Sequence, residues 1–66
     1  MKVFIQNRRT KEFYGGGTRW VATRARALDC RSAANAEKIA REQKLRDVSI
    51  VLTFKQRNET IILPLV

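Results

Sequence analysis

The sequence contains no histidine and a single cysteine, so it lacks the side chains on which most acid–base enzymes and zinc sites depend. Histidine is the commonest general base and metal ligand, and the six Asp and Glu residues are scattered along the 66-residue chain. We therefore expect a protein that is not an enzyme, with no metal site and no cofactor.

The single cysteine, Cys30, has no partner for an intrachain disulfide, which favours a reducing compartment. Cys30 is either a buried structural thiol or a reactive thiol whose pKa is lowered by its neighbour Arg31. Apolar runs are also short: none approaches the length of a signal peptide or a membrane span. We expect a soluble, cytoplasmic protein without membrane contact.

Apolar and polar residues alternate near both ends of the chain, which is typical of β-strands. Residues 2–7 and the segment around Phe13 form one predicted hairpin, with a basic tip between them. Residues 48–54 form the clearest strand, with one buried and one half-exposed face, and after a turn at 56–59 residues 60–66 return beside it. The only proline, Pro64, cannot donate to a ladder, which predicts a position at a sheet edge or near the end of this last strand.

Between the hairpins, a helix is predicted from the N-cap Ser32 to about Lys44. One face carries small or apolar side chains at helical spacing, namely Ala33, Ala36, Ile39, Ala40 and Gln43. Residues 19–22 favour an extended segment, whereas residues 23–28 fit a strand or a helix equally well because arginine and alanine alternate there.

This order predicts a single α+β domain over residues 1–66. Its architecture is a small antiparallel sheet of two hairpins with one α-helix packed on one face, in ββαββ order.

Three consecutive glycines stand between two aromatic residues in Tyr14-Gly15-Gly16-Gly17-Thr18-Arg19-Trp20. Their spacing fits neither a P-loop nor a dinucleotide fingerprint, so we expect either a plain connection between strands or a mobile loop that closes on a partner. The ring of Trp20 is a core anchor or a surface on which a base stacks, and Tyr14 fits both environments.

Positive charge is the strongest functional signal, because 14 Lys and Arg residues oppose six Asp and Glu residues, a net charge of +8. Residues 1–31 hold eight of these cations and only two acids. Arginine's planar fork suits phosphate and base edges, so we take these side chains and one aromatic as a candidate nucleic-acid-binding set: Arg8, Arg9, Lys11, Tyr14, Arg19, Arg24, Arg26 and Arg31. The same charge also fits a merely solvated face or an acidic protein partner.

Several short features together resemble a group of small uncharacterised bacterial and prophage-associated proteins. These features are Ile5-Gln6-Asn7, Phe13-Tyr14, Trp20, Ala27-Leu28, Ser32 and the Ala36/Ile39/Ala40 stripe. The resemblance implies no activity. The chain is also similar to the arm-type DNA-binding domains of phage integrases, which set a three-stranded sheet against one helix, although here the helix precedes the last strands.

Two hypotheses follow. The first is a nucleic-acid-binding module, for DNA rather than RNA, that uses an arginine-rich face. The second is a protein-interaction or assembly module that uses the edge of the C-terminal hairpin or its Ile61-Ile62-Leu63 run. The chain is expected to be a monomer or a weak homodimer.

Overall fold

The structure, a computed structural model, describes residues 2–54 and 59–64. In chain order its elements are β1 (Lys2–Asn7), β2 (Phe13–Gly16), β3 (Arg19–Val21), a 3₁₀ turn (Arg24–Arg26), α1 (Ala33–Glu42), β4 (Val48–Phe54) and β5 (Glu59–Pro64). The predicted turn at 56–59 lies, except for Glu59, outside the described residues, as do residues 65–66.

The five strands form one antiparallel sheet in the order β3-β2-β1-β4-β5, and α1 packs on one face against β1 and β4. This confirms the α+β class, the antiparallel sheet and the single helix. The predicted ββαββ order matches only loosely, because a third strand, β3, and the 3₁₀ turn precede the helix. The additional strand forms because residues 19–21 fold back on β2 through the glycine turn.

The centre of the sheet is the ladder between β1 and β4, which runs from Lys2 opposite Thr53 to Asn7 opposite Val48. A two-stranded hairpin is marginal alone, so β1 and β2 need a later element to pack on. The β4 strand supplies it, and this register places the residues that follow β1 beside the residues that precede β4.

The helix-side cluster is the larger of two hydrophobic clusters. Its buried members are Val3, Ile5, Tyr14, Cys30, Ala36, Ala40, Val48 and Ile50, and Trp20, Ala33, Ile39, Leu45 and Leu52 pack against it. Ala36 and Ala40 of α1 have almost no exposed surface, so the helix backbone lies close to the sheet. The alanine stripe predicted from the sequence is therefore the face that packs on β1 and β4.

A second cluster covers the middle of the other face of the sheet. Phe4, Phe13 and Val51 are buried there, with Val21 and Ala27 packed against them. The rings of Phe4 and Phe13 meet edge to face, with centroids 6.0 Å apart. The prediction that this face of β4 is half-exposed is wrong for its first half, since Val51 keeps only 1% of its surface exposed.

Residues 27–30 pass from one face of the sheet to the other between β1 and β2. Ala27 packs on the second cluster, and Cys30 belongs to the helix-side cluster. On the way, the amide of Leu28 donates to the carbonyl of Tyr14 at 2.9 Å, and that of Cys30 donates to the carbonyl of Val3 at 2.7 Å. Residues 23–28, for which the sequence fits a strand or a helix, thus form neither a strand nor an α-helix. They form a 3₁₀ turn and then begin this crossing.

The helix begins as predicted, because the Ser32 hydroxyl accepts a hydrogen bond from the amide of Asn35 at 3.1 Å. Replacing Ser32 with alanine removes this cap and should lower the free energy of unfolding by about 1 kcal/mol. Urea denaturation measures the loss. Ser32→Asp, which keeps an acceptor at the same position, should stay close to the wild type, and an equal loss in both variants would contradict a capping role.

The β5 strand pairs with β4 along its whole length, from Glu59 opposite Phe54 to Pro64 opposite Ser49. It is an edge strand of the sheet, with Pro64 at its last position, as predicted.

Candidate nucleic-acid interface

The tip of the first hairpin is held by Asn7. Its side-chain Oδ1 accepts hydrogen bonds from the amides of Arg9, at 2.8 Å, and Thr10, at 3.1 Å. Its carbonyl accepts from the amide of Lys11 at 2.9 Å, and its own amide donates to the carbonyl of Glu12 at 2.8 Å. An asparagine side chain that bonds the next backbone amides fixes a tight turn, so the tip cations extend from an ordered backbone. Lys11 closes this turn with a φ of 65°, in the left-handed region.

The exit of α1 is a Schellman motif. The amide of Leu45 donates to the carbonyl of Ala40 at 2.9 Å, and the amide of Lys44 donates to the carbonyl of Arg41 at 3.2 Å. Lys44 has a φ of 53°, at the position where glycine is the usual residue. The helix therefore ends at Glu42, two residues before the predicted end, and its last cations surround the negative end of the helix dipole.

The β1–β4 register brings the hairpin tip and the helix exit together. Because Asn7 lies opposite Val48, the next residue, Arg8, lies beside Asp47, and its amide donates to the Asp47 carbonyl at 2.7 Å. The Asp47 carboxylate in turn pairs with Arg9, Oδ2 to Nε, at 3.3 Å. The result is one surface that we call the basic end, made of Arg8, Arg9, Lys11, Arg41, Lys44 and Arg46.

An open groove of about 800 Å³ runs along the basic end. Its lining is part apolar and part charged: Arg8, Glu37, Ala40, Arg41, Lys44, Leu45, Arg46, Asp47 and Val48. Glu37 pairs with Arg41 one helical turn away, and Asp47 pairs with Arg9. Both pairs are exposed and therefore weak. Within the described part of the chain, no carboxylate lies in ion-pair distance of Arg8, Lys11, Lys44 or Arg46.

Arg24 lies on the other face of the sheet, with its guanidinium carbon 5.8 Å from the centroid of the Phe13 ring. This is cation–π distance, and it covers the second cluster with a charged group. Since Phe13 follows the hairpin tip by two residues, Arg24 lies next to the basic end. Arg26 is exposed in the same 3₁₀ turn.

Two of the candidate arginines lie at the opposite end of the sheet. Arg19 begins β3 after the glycine turn, and Arg31 follows Cys30, whose amide bonds to Val3 near the start of β1. The length of β1 separates them from the hairpin tip by roughly 17 Å. The candidate set is therefore divided: Arg8, Arg9 and Lys11 lie together at the hairpin tip, Arg24 and Arg26 lie in the 3₁₀ turn, with Arg24 over Phe13 on the other face of the sheet, and Arg19 and Arg31 lie at the opposite end.

The aromatic side chains near the glycines face the core. Tyr14 is only 2% exposed, its hydroxyl donates to the carbonyl of Gly17 at 2.7 Å, and its ring meets Trp20 edge to face at 5.6 Å. Trp20 packs on the helix-side cluster, as the core interpretation predicts. Neither the buried Tyr14 ring nor the packed face of Trp20 is available for stacking on a base.

The glycine segment is a connection between strands. Gly16 and Gly17 have φ values of 96° and 58°, which only glycine adopts readily, and they turn β2 into β3. A nucleotide cradle needs glycines that run from a strand into a helix, whereas here they run from strand to strand.

Cys30 is buried in the helix-side cluster. Burial, and then the neighbouring Asp29 carboxylate, raise the pKa of the thiol to about 11. Of the two alternatives for Cys30, the reactive thiol with a lowered pKa is therefore wrong, because burial disfavours the charged thiolate. The thiol stays protonated at neutral pH, which is the state of a structural cysteine.

Three cations of the basic end were absent from the candidate set: Arg41, Lys44 and Arg46. The candidate set was drawn from residues 1–31, where the excess of positive charge lies, and these three cations come later in the chain. The one local signal that could have found them is the cluster of cations between the end of α1 and the start of β4. Only the register between residues 7 and 48 shows that this cluster meets the hairpin tip.

In the described part of the chain no helix is long and apolar enough to cross a membrane, and no three acidic or cysteine side chains are grouped as metal ligands. Comparisons with protein-family models, with curated proteins and with solved structures find no match.

Proposed function

We propose that this protein is a nucleic-acid-binding module whose contact surface is the basic end. The observation that carries the proposal is the meeting of two cationic segments, about 35 residues apart in the chain, at one ordered surface. Arginine and lysine side chains on a fixed backbone supply phosphate contacts without a large loss of conformational entropy on binding. The exposed pairs of Arg9 with Asp47 and of Arg41 with Glu37 are weak enough for phosphates to compete with the carboxylates.

Duplex DNA is the preferred ligand in this proposal. The hairpin tip is a two-stranded ribbon, and the major groove of B-DNA, about 12 Å wide, admits such a ribbon. The major groove of A-form RNA is too narrow for it. In this arrangement the tip enters or straddles the groove, and the cations at the helix exit contact the flanking phosphates.

Binding should weaken steeply with salt. If Arg8, Lys11, Lys44 and Arg46, which pair with no carboxylate of the described residues, each neutralise one phosphate, the log–log slope of affinity against salt is about −3.6 for duplex DNA and about −2.8 for a single strand. Fluorescence anisotropy with a mixed-sequence duplex, a single strand and an RNA hairpin measures the slopes and the preference. No binding to any of them at low ionic strength would exclude the proposal.

Matched charge reversals locate the surface. Arg8→Glu with Arg46→Glu changes the net charge as much as Arg19→Glu with Arg31→Glu, but only the first pair lies at the basic end. The first pair should abolish binding, whereas the second should weaken it only modestly through the net charge. Equal effects of the two pairs would show that total charge, and not this surface, drives the association. Polyglutamate as a competitor distinguishes phosphate binding from general attraction to polyanions.

A further inference from the structure

The edge strand β5 carries an apolar strip that has no partner in the described part of the chain. Ile61, Ile62 and Leu63 are 42%, 56% and 41% exposed, unusually high values for large apolar residues of a strand. Their register against β4 distributes them over both faces: Ile61 and Leu63 lie opposite members of the helix-side cluster, and Ile62 lies opposite Val51 of the second cluster. A partner that covers this strip must therefore place apolar side chains on both faces of the sheet. An apolar β-strand does so, because its side chains alternate between the two faces.

Charge separates this edge from the rest of the molecule. In a chain with 30% charged residues, residues 60–66 contain none. Natural edge strands are protected by lysine or other charges, by shortness or by bulges. The other edge, β3, is protected in this way, because it has three residues, begins with Arg19 and pairs through a bulge. The β5 edge has Glu59 at its first position and Pro64 at its last, and the four residues between them carry no charge.

We infer that two copies of this chain associate through β5 to form a continuous ten-stranded antiparallel sheet. A second copy of β5 is such a partner, because it also carries apolar side chains on both faces of the sheet. In an antiparallel pair centred on Ile62, this residue faces its own copy, Ile61 faces Leu63, and Thr60 faces Pro64, so each of these pairings is uncharged, and Glu59 lies outside them. Such a two-fold interface is isologous, and both copies of α1 then lie on the same face of the joint sheet.

The contact is small, and this determines its strength. Three half-exposed side chains per copy bury less than the roughly 1,200 Å² of a standard interface, so the dissociation constant is on the order of 0.1 mM. Two copies that each carry a net charge of +8 also repel each other. Screening by salt should therefore strengthen the dimer, which is opposite to the salt dependence of nucleic-acid binding. The failure of one proposal is thus distinguishable from the failure of the other.

Sedimentation equilibrium on the whole protein tests this inference. The weight-average mass should rise toward twice the monomer mass between about 10 µM and about 1 mM, and more so at high salt. Ile62→Lys, at an exposed position, should raise the dissociation constant at least about tenfold by placing two like charges opposite each other. Ala34→Lys, on the exposed face of α1, adds the same charge elsewhere and should have little effect.

A monomer mass that stays constant up to about 1 mM would overturn the inference, as would a dimer that Ile62→Lys leaves intact. Amide chemical shifts of the wild type provide a measurement that does not depend on the folding of any variant. Concentration-dependent shifts should centre on residues 59–64. If the concentration-dependent shifts lie on β3 or on α1 instead, the copies associate through another surface. That result would overturn pairing through β5.

Discussion

Replacing Lys11 and Lys44 together with glycine should make the protein more stable and, at the same time, weaken its binding to duplex DNA. Both lysines have a positive φ, and both stand where a hairpin tip and a helix exit usually have glycine. A left-handed conformation costs an L-residue roughly 1–2 kcal/mol, whereas glycine loses roughly 0.5–1 kcal/mol more entropy on folding. The double variant should gain about 1 kcal/mol, which raises the Tm by about 4–8 °C.

The same substitutions remove two phosphate contacts. With a log–log slope of about 0.9 per contact, each phosphate contact makes the affinity roughly eightfold higher at 0.1 M salt than at 1 M salt. Affinity should fall about 60-fold at 0.1 M salt, and the slope should become shallower by about 1.8. Calorimetry and anisotropy on the same preparations measure the two quantities. Opposite signs are informative, because a variant that simply damaged the fold would lose both stability and affinity.

Arg31→Gly is the matched control, because Arg31 also has a positive φ, of 71°, but lies at the other end of the sheet. It should stabilise the protein similarly and reduce affinity far less. Lys11→Arg with Lys44→Arg keeps both the charge and the strain, so both quantities should stay near the wild type. If the glycine variant binds as tightly as the wild type, these lysines do not contact the ligand.

The strands and the cap of the helix could be predicted from the sequence because their signals are local. Alternation over residues 48–54 and the serine at position 32 each depend on neighbours within a few residues. The proline at position 64 likewise indicated an edge from its own chemistry. The end of α1 was placed too late, because lysine at position 44 is a good helix former and nothing in its type announces a left-handed residue.

The path of residues 23–30 could not be predicted because distant atoms determine it. Arginine and alanine alternate in a way that suits a strand and a helix alike. The path is determined by the carbonyls of Tyr14 and Val3, which accept hydrogen bonds from Leu28 and Cys30. These acceptors lie 14 and 27 residues earlier in the chain than their donors. The burial of Phe4 and Val51 has the same origin, since Ala27 packs on their cluster.

Only the hairpin part of the candidate site could be predicted, because the rest depends on contacts between distant residues. Arg8, Arg9 and Lys11 follow from one hairpin, so a local pattern is enough to group them. Their meeting with Lys44 and Arg46 depends on a single ladder register between residues distant in sequence. The charge of each half of the chain does not indicate this surface, because its residues come from both halves.

Replacing Asp29 with alanine should cause the largest loss of stability among the changes considered. One carboxylate oxygen of Asp29, Oδ1, accepts hydrogen bonds from the amide of Val3, at 3.1 Å, and from the amide of Arg31, at 2.9 Å. It thereby ties the crossing segment to the start of β1 and shapes the entry to α1. Charge-assisted bonds of this kind contribute about 1.5–3 kcal/mol each, so the free energy of unfolding should fall by about 3 kcal/mol.

A loss of this size is a large fraction of the stability of a 66-residue domain, which is roughly 3–10 kcal/mol in total. Urea denaturation measures it. Asp29→Asn is the matched control, because its side-chain carbonyl can still accept both amides, and it should lose about 1 kcal/mol. If alanine and asparagine destabilise equally, the charge of the carboxylate and not its geometry as an acceptor is what stabilises the fold.

Acid titration separates these two contributions. The hydrogen bonds from the amides of Val3 and then Arg31 lower the pKa of Asp29 below its ordinary value of 3.8. A carboxyl whose pKa is lower in the folded state stabilises the fold above its unfolded pKa, and this contribution is lost as the pH falls through the folded pKa. The difference in unfolding free energy between the wild type and Asp29→Asn should therefore be constant above about pH 5 and shrink below about pH 4. A difference that stays constant down to about pH 2 would show that the carboxylate charge adds nothing beyond what the protonated carboxyl supplies.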